Sequence, residues 1–200
     1  MSYKIITVSR EFESRGTEIA QEVAKRLKLP YFDKFLISET ALQTGLTEDW
    51  VDASDEKLAS RFEYSQAEAA HFYNGAESPA PTSDRIAQVQ FELIKKLAEE
   101  GPCLIVGRCA NWVLRDRDDV LDVFIHAGRD HRVARTMEHL NLPENKAVRL
   151  LKRTDKLRKA YHKNFTGMDW NDPNNYHMIL NSDRLDPAEV VELIVKAYQD

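Results

Sequence analysis

The chain has 200 residues, with 28 Lys+Arg against 33 Asp+Glu and a formal net charge of -5. That length predicts one domain of about 100–200 residues, and 42% hydrophobic with 30% charged residues is the balance of a soluble globular protein. Two cysteines exclude a disulfide-stapled scaffold, and no apolar run approaches the roughly 20 residues of a membrane span.

Lys4-Ile5-Ile6-Thr7-Val8 is β-branched and apolar, the pattern of a buried strand. It lacks the basic start and long apolar run of a secretory signal, so a cytoplasmic location is expected. From Thr17 to Lys28, Ile19, Ala20, Val23, Ala24 and Leu27 recur at helical spacing, and Leu29-Pro30 ends the helix. Tyr31-Phe32-Asp33 reads as a short second strand, with a helical stretch from Lys34. Residues 46–83 read as acidic helices closed by a loop with Pro79 and Pro81. Asp84 is placed to cap the next helix, along which Ile86, Val89, Leu93, Ile94 and Leu97 line one face. Gly101-Pro102 stops that helix before the continuous apolar strand Cys103–Val106. Leu121–Ile125 is a further strand, followed by helices over 129–140 and 144–163. His177–Asn181 is the last strand, and Asp186-Pro187 opens the last helix with a cap and a proline at its first position. Strands alternating with helices predict an α/β fold, a parallel sheet with helices on both faces.

The charge is segregated. Residues 128–163 hold eleven basic and four acidic residues, a local +7 that leaves -12 on the rest of the chain. Residues 48–77 hold eight acids against Lys57 and Arg61. An acidic chain with one basic stretch suits a local polyanion such as a nucleotide's phosphates, and equally a solvated helix face with i,i+4 pairs. The overall acidity argues against a nucleic-acid polymer as partner.

In open α/β sheets ligands bind beyond the carboxyl ends of the strands. The loop after the first strand, Ser9 to Thr17, is therefore the first place to look for chemistry. It has one glycine, Gly16, and does not match the GxxxxGK[ST] phosphate loop. Arg15 is the cation in its core, and Thr17 is the hydroxyl placed to mimic the metal-facing one. On pattern alone it reads as an ordinary strand-to-helix connection.

Ile5 to Phe12 followed by Ser14-Arg15-Gly16-Thr17-Glu18-Ile19-Ala20 resembles the opening of the cytidylate kinase-like family, a branch of the P-loop nucleoside monophosphate kinases with a degenerate Walker A loop. Further pieces resemble it in order. They are Pro30–Lys34, Gly101–Ala110, Val123–Ala127, Thr154–Tyr161, Phe165–Trp170 and Asn181–Leu185. The resemblance implies a three-layer P-loop kinase-like parallel sheet with a lid and a helical insertion. As one domain over 1–200, it places a helical acceptor-side insertion at 46–83 and a basic lid at 128–165. It implies ATP and Mg²⁺ as cofactors, small-molecule nucleotides as partners, no membrane, and transfer of the ATP γ-phosphoryl to CMP, dCMP or a similar acceptor. The alternative is a catalytically impaired nucleotide-binding or regulatory module of the same fold.

The same resemblance assigns catalytic roles to Arg15, Arg108 and Arg158. It assigns nucleotide binding to Ser14, Gly16, Thr17, Asp33, Lys34 and Asp155, and lid positions to Arg129, Arg132, Arg135 and Arg153, with Lys152 beside them. Family members usually read Gly-Ser-Gly-Gly in the loop, and here Glu13 and Arg15 stand where two of those glycines would be. The Walker lysine is missing, and Val106 and Cys109 flank Gly107-Arg108 where cytidylate kinases carry aspartates. Read on residues alone, Arg108 is a surface ion-pairing residue, Asp155 and Arg158 an i,i+3 helix pair, and Asp33 a helix cap. Cys109 has no placed base that would make it a nucleophile. Trp170 reads first as a packing residue in a polar loop.

Overall fold

A computed structural model describes residues 2–49, 51 and 83–200. Five parallel strands form one sheet in the order β2-β3-β1-β4-β5. They are β1 (Ile5–Arg10), β2 (Tyr31–Phe32), β3 (Cys103–Val106), β4 (Val120–His126) and β5 (Met178–Asn181). Between and after them run α1 (Gly16–Leu27), α2 (Lys34–Thr44), α3 (Ser83–Glu100), α4 (Ala110–Val113), α5 (Arg129–Leu140), α6 (Glu144–Thr166) and α7 (Pro187–Gln199).

Alternation of side chains along each strand makes the three layers. Ile6 and Val8 of β1, Leu104 and Val106 of β3, and Leu121, Val123 and Ile125 of β4 face one side of the sheet. There they meet Ile19, Ala20, Val23 and Ala24 of α1 and Val190, Val191 and Ile194 of α7. Ile5, Cys103, Ile105 and Val120 face the other side, against Leu93, Ile94 and Leu97 of α3 and Ala110 and Val113 of α4. The strands are therefore apolar on both faces, as the run Cys103–Val106 predicts.

The ends of elements follow local chemistry. α1 stops at Lys28, which takes a left-handed conformation (φ 56°) before Pro30. Asp186 caps α7 with a reciprocal box to Glu189, and Pro187 occupies the first helical position. Two expectations shift. Asp84 lies inside the first turn of α3, which starts at Ser83, so it does not cap that helix. Asp33 precedes α2 without a side-chain cap bond, because its carboxylate is engaged elsewhere. The short helix α4 had no signature in the sequence. The expected helices of 46–83 fall mostly outside the described residues.

A small apolar cluster of Val133, Ala147 and Leu151 joins α5 to α6, and Phe12 packs against it. This contact brings the helical hairpin down onto the loop that follows β1. Among the described residues no helix is long and apolar enough to cross a membrane.

Candidate functional site

The loop Glu11–Arg15 connects β1 to α1 at the carboxyl end of the sheet. Ser14 is 1% exposed, and its hydroxyl hydrogen lies within bonding distance of Glu11 O (2.9 Å) and Ile125 O (3.1 Å). Ser182 donates to Ser14 O at 2.6 Å. Ser14 thus pins the loop to β4 and to the turn after β5, with its hydroxyl turned inward. Glu13 (φ 57°) and Arg15 (φ 58°) both adopt the left-handed conformation. The two positions where the family resemblance implies glycine therefore keep a glycine-like backbone here, at a strain of roughly 1–2 kcal/mol each. Gly16 is required for space, since a Cβ there would lie 2.4 Å from Arg10 Cβ.

Glu13 turns away from the loop's interior. Its Oε2 lies 3.0 Å from His139 Nδ1 and 3.6 Å from Arg135 Nη2 on α5. No side chain caps α1. Arg15 has no ion-pair partner among the described residues, and its Nε is buried without a hydrogen bond. A positive helix end beside an unsatisfied guanidinium N–H is a fit for an anion. Thr17 lies at the same helix end, its hydroxyl 3.5 Å from Arg10 Nε.

Beside the loop is a cavity of about 410 Å³, whose walls include Arg10, Arg108 and Arg158 together with Asp33, Tyr161, His162 and Trp170. Arg10 is the last residue of β1. Arg108 follows β3 in a run of three left-handed residues, Gly107 (φ 76°), Arg108 (φ 53°) and Cys109 (φ 55°), which reverses the chain. A Cβ on Gly107 would lie 2.7 Å from Arg10 Nη1, so only glycine leaves Arg10 its place. Arg158 reaches in from α6 and donates from Nη1 to Arg10 O at 2.9 Å. Asp33 Oδ1 lies 3.6 Å from Arg10 Nη2, and Tyr31 donates to Asp33 Oδ2 at 3.3 Å.

Burial, reinforced by the Arg10 charge, works against protonation of Arg158 and pulls it below the usual guanidinium range. Such a group gains from an entering anion. Burial pushes the Cys109 thiol up to about 12, so it stays a thiol at neutral pH and is no nucleophile. Trp170 is buried edge-on against Phe124 (5.2 Å) and also lines the cavity.

The basic stretch does something other than face this cavity. Arg132 is buried, with Nη1 2.6 Å from Asp155 Oδ2 and 3.1 Å from Phe12 O. Its Nε lies 3.1 Å from Ala127 O and 3.3 Å from Glu11 Oε2. The other Asp155 oxygen accepts from Phe12 N at 2.9 Å. Asp155 therefore ties α6 to the loop, with both oxygens engaged, and forms no i,i+3 pair with Arg158. Arg135 binds Glu18 (2.8 Å) as well as Glu13. Arg129 is exposed beside Asp130, and Arg153 is exposed on α6. Lys34 opens α2 directly after Asp33.

Of the residues singled out from sequence, the fold brings Asp33, Arg108 and Arg158 to one cavity, with Arg15, Gly16 and Thr17 at the neighbouring helix end. Arg132, Arg135 and Asp155 gather beneath the loop instead. Arg10, Tyr161 and His162 were not singled out. Arg10 is the residue at which a central strand meets the ligand edge, and Thr154, Arg158, Tyr161 and His162 share one face of α6 by their spacing. Among the described residues no group of three or more His, Cys, Asp or Glu is placed to hold a metal ion.

Comparison with known proteins agrees with this geometry. The family model described as "Cytidylate kinase-like family" matches residues 5–184. A cytidylate kinase from Sulfurisphaera tokodaii is 25% identical over 120 residues, 56% of this chain and 66% of that protein. One from Archaeoglobus fulgidus is 30% identical over 124 residues, 60% of this chain and 64% of that one. Each match spans just under two thirds of the relative's length. An uncharacterized protein from Eubacterium ventriosum has a crystal structure with TM-score 0.71 at 26% identity, over 97% of both chains. Shikimate kinase from Acinetobacter baumannii, solved with shikimate, shares the fold at TM-score 0.51 and 12% identity, over 98% of this chain and 92% of that one. The parallel sheet is thus a P-loop kinase-like α/β fold. With 180 of 200 residues inside the matching family model, the chain belongs to the cytidylate kinase-like family.

Proposed function

We propose that the protein transfers the γ-phosphoryl group of ATP to CMP, dCMP or a similar small phosphorylated acceptor. The observation that carries this reading is the convergence of Arg10, Arg108 and Arg158 in one cavity beside a strand–loop–helix with an unsatisfied Arg15. Guanidinium forks bind phosphate oxygens bidentately, and a cluster of three suits a dianionic phosphate. Phosphoryl transfer needs positioning and charge neutralisation more than covalent chemistry, which suits a cavity lined by guanidinium groups.

In this reading Arg15 and the first turn of α1, with Gly16 and Thr17, hold the donor phosphates. Ser14 fixes the loop that presents them. Arg10, Arg108 and Arg158 hold the acceptor phosphate, and Asp33 orients Arg10. Lys34 stands next to it at the head of α2. Mg²⁺ would enter with the nucleotide, which is its usual habit. Thr17 would be its protein contact, and the ion would supply charge neutralisation between donor oxygens. Glu48 and Asp49, at the start of the expected acceptor-side insertion, line the acceptor cavity. Residues 128–165 close the loop from the other side, and small-molecule partners in the cytoplasm accord with this chemistry.

A second reading is favoured by one observation. Arg132 and Arg135, and with them the charge of a closing lid, are neutralised by Glu11, Glu13, Glu18 and Asp155. Arg129 and Arg153 alone of the expected lid arginines remain at the surface. A nucleotide-binding module with impaired catalysis would look like this. The deciding experiment is ADP release with ATP and Mg²⁺ across a panel of monophosphates and small hydroxyl acceptors. Release that depends on one monophosphate supports the kinase. Nucleotide-induced thermal stabilisation without release supports the binding module.

A further inference from the structure

His162 lines the same cavity but belongs to none of the charge networks just described. It is 2% exposed. Its Nδ1 lies 3.2 Å from Met168 O and 3.1 Å from Thr166 Oγ1. A carbonyl oxygen only accepts, and the Thr166 hydroxyl already spends its hydrogen on His162 O at 2.7 Å. Both neighbours therefore call for a proton on Nδ1. Burial lowers the pKa of His162, which keeps the ring neutral. Nε2 is then a bare acceptor, and it is buried with no hydrogen-bond partner. An unsatisfied buried acceptor on a residue that lines a ligand cavity calls for a donor.

The helix sets where that donor lies. Along α6, Asp155 meets the backbone of Phe12, Arg158 meets the backbone of Arg10, and His162 stands one turn beyond Arg158. Four residues of α-helix advance about 6 Å. Moving along α6 therefore leads from the loop after β1, past the arginine cluster, to His162 one turn further along the cavity wall. We propose that His162 Nε2 reads the nucleoside end of the acceptor, accepting a hydrogen bond from an N–H or O–H of a phosphomonoester whose phosphate lies on Arg10, Arg108 and Arg158. This rests on the acceptor reading of the cavity. His162 is a specificity-determining residue in this scheme and takes no part in moving the phosphoryl group.

The test uses the ¹⁵N resonance of His162 Nε2 in the full chain, with CMP and with inorganic phosphate as separate probes. CMP is expected to move that resonance, and phosphate, which has no nucleoside end, is expected to leave it in place. Calorimetry should give His162→Phe a Kd for CMP about three- to tenfold weaker, the loss of one hydrogen bond, with ATP affinity unchanged. His162→Gln, which can place a carbonyl oxygen near the Nε2 position, should recover much of the loss. If CMP binds while the Nε2 resonance stays fixed, or if His162→Gln is no better than His162→Phe, the inference is overturned. If the wild-type chain does not bind CMP at all, the acceptor reading fails and takes this inference with it.

Discussion

Replacing Arg132 with methionine tests how the helical hairpin holds the loop between β1 and α1. Methionine keeps much of the packing volume and removes the charge. Arg132 is 7% exposed in its side chain, Asp155 12% and Glu11 20%, so both carboxylates would lose their counter-charge in a largely dry place. The carbonyls of Phe12 and Ala127 would lose a donor as well. Removing one partner of such a buried pair costs about 3–5 kcal/mol. For a chain of this size that corresponds to a fall in Tm of roughly 6–20 °C. Urea denaturation and calorimetry measure it. Adding Asp155→Asn removes one stranded charge and keeps an oxygen for Phe12 N–H, so the double variant should regain part of the loss. A loss below about 1 kcal/mol for Arg132→Met, or strictly additive losses in the double variant, would show that the network does not hold the loop.

Other perturbations give results of different sign. Arg15→Gly relieves a left-handed residue, so thermal stability should rise by about 1 kcal/mol while ATP affinity, read by calorimetry, falls. Gly107→Ala puts a methyl against Arg10 Nη1 at a positive φ, and should lower both Tm and CMP affinity. Asp122 is partly buried and has its pKa raised to about 6, chiefly by burial, against the opposing Thr7 hydroxyl bond (2.5 Å) and the nearby His177 ring. Its native pKa is above the unfolded value near 4, so the native state holds the proton more tightly. The contribution to stability is therefore greatest below about pH 4 and is lost as pH rises through 6. Asp122→Asn should stabilise the protein at pH 7 by about 1–3 kcal/mol and flatten this part of its pH profile, measured by denaturant titration.

Much of the fold was legible because apolar spacing is a local signal. Cys103–Val106, the α1 stripe from Ile19 to Leu27, and the Asp186-Pro187 start of α7 each carry their own instruction. The site was less legible because its partners are distant in sequence. Nothing near Asp155 announces that it bonds to Phe12, 143 residues away. The resemblance makes Arg132 and Arg135 lid cations, and only the tertiary contact with Glu11, Glu13 and Glu18 shows them spent. Asp33 read equally as a helix cap, and the fold turns its carboxylate to Arg10 instead. The loop itself was misleading in the opposite direction. Glu13 and Arg15 look incompatible with a phosphate loop, yet both hold the left-handed backbone that glycine would supply.

The net charge of -5 conceals two separate arginine systems. One, around Arg132 and Arg135, is internally balanced and structural. The other, Arg10, Arg108 and Arg158, surrounds the cavity. The central claim is that the second system holds an acceptor phosphate during transfer from ATP. Phosphorus NMR of the protein with ATP, Mg²⁺ and CMP tests it most directly. The account predicts ADP and CDP signals growing together, and their loss in Arg108→Ala. Unchanged ATP and CMP spectra from the wild-type protein, with every other monophosphate equally inert, would contradict it.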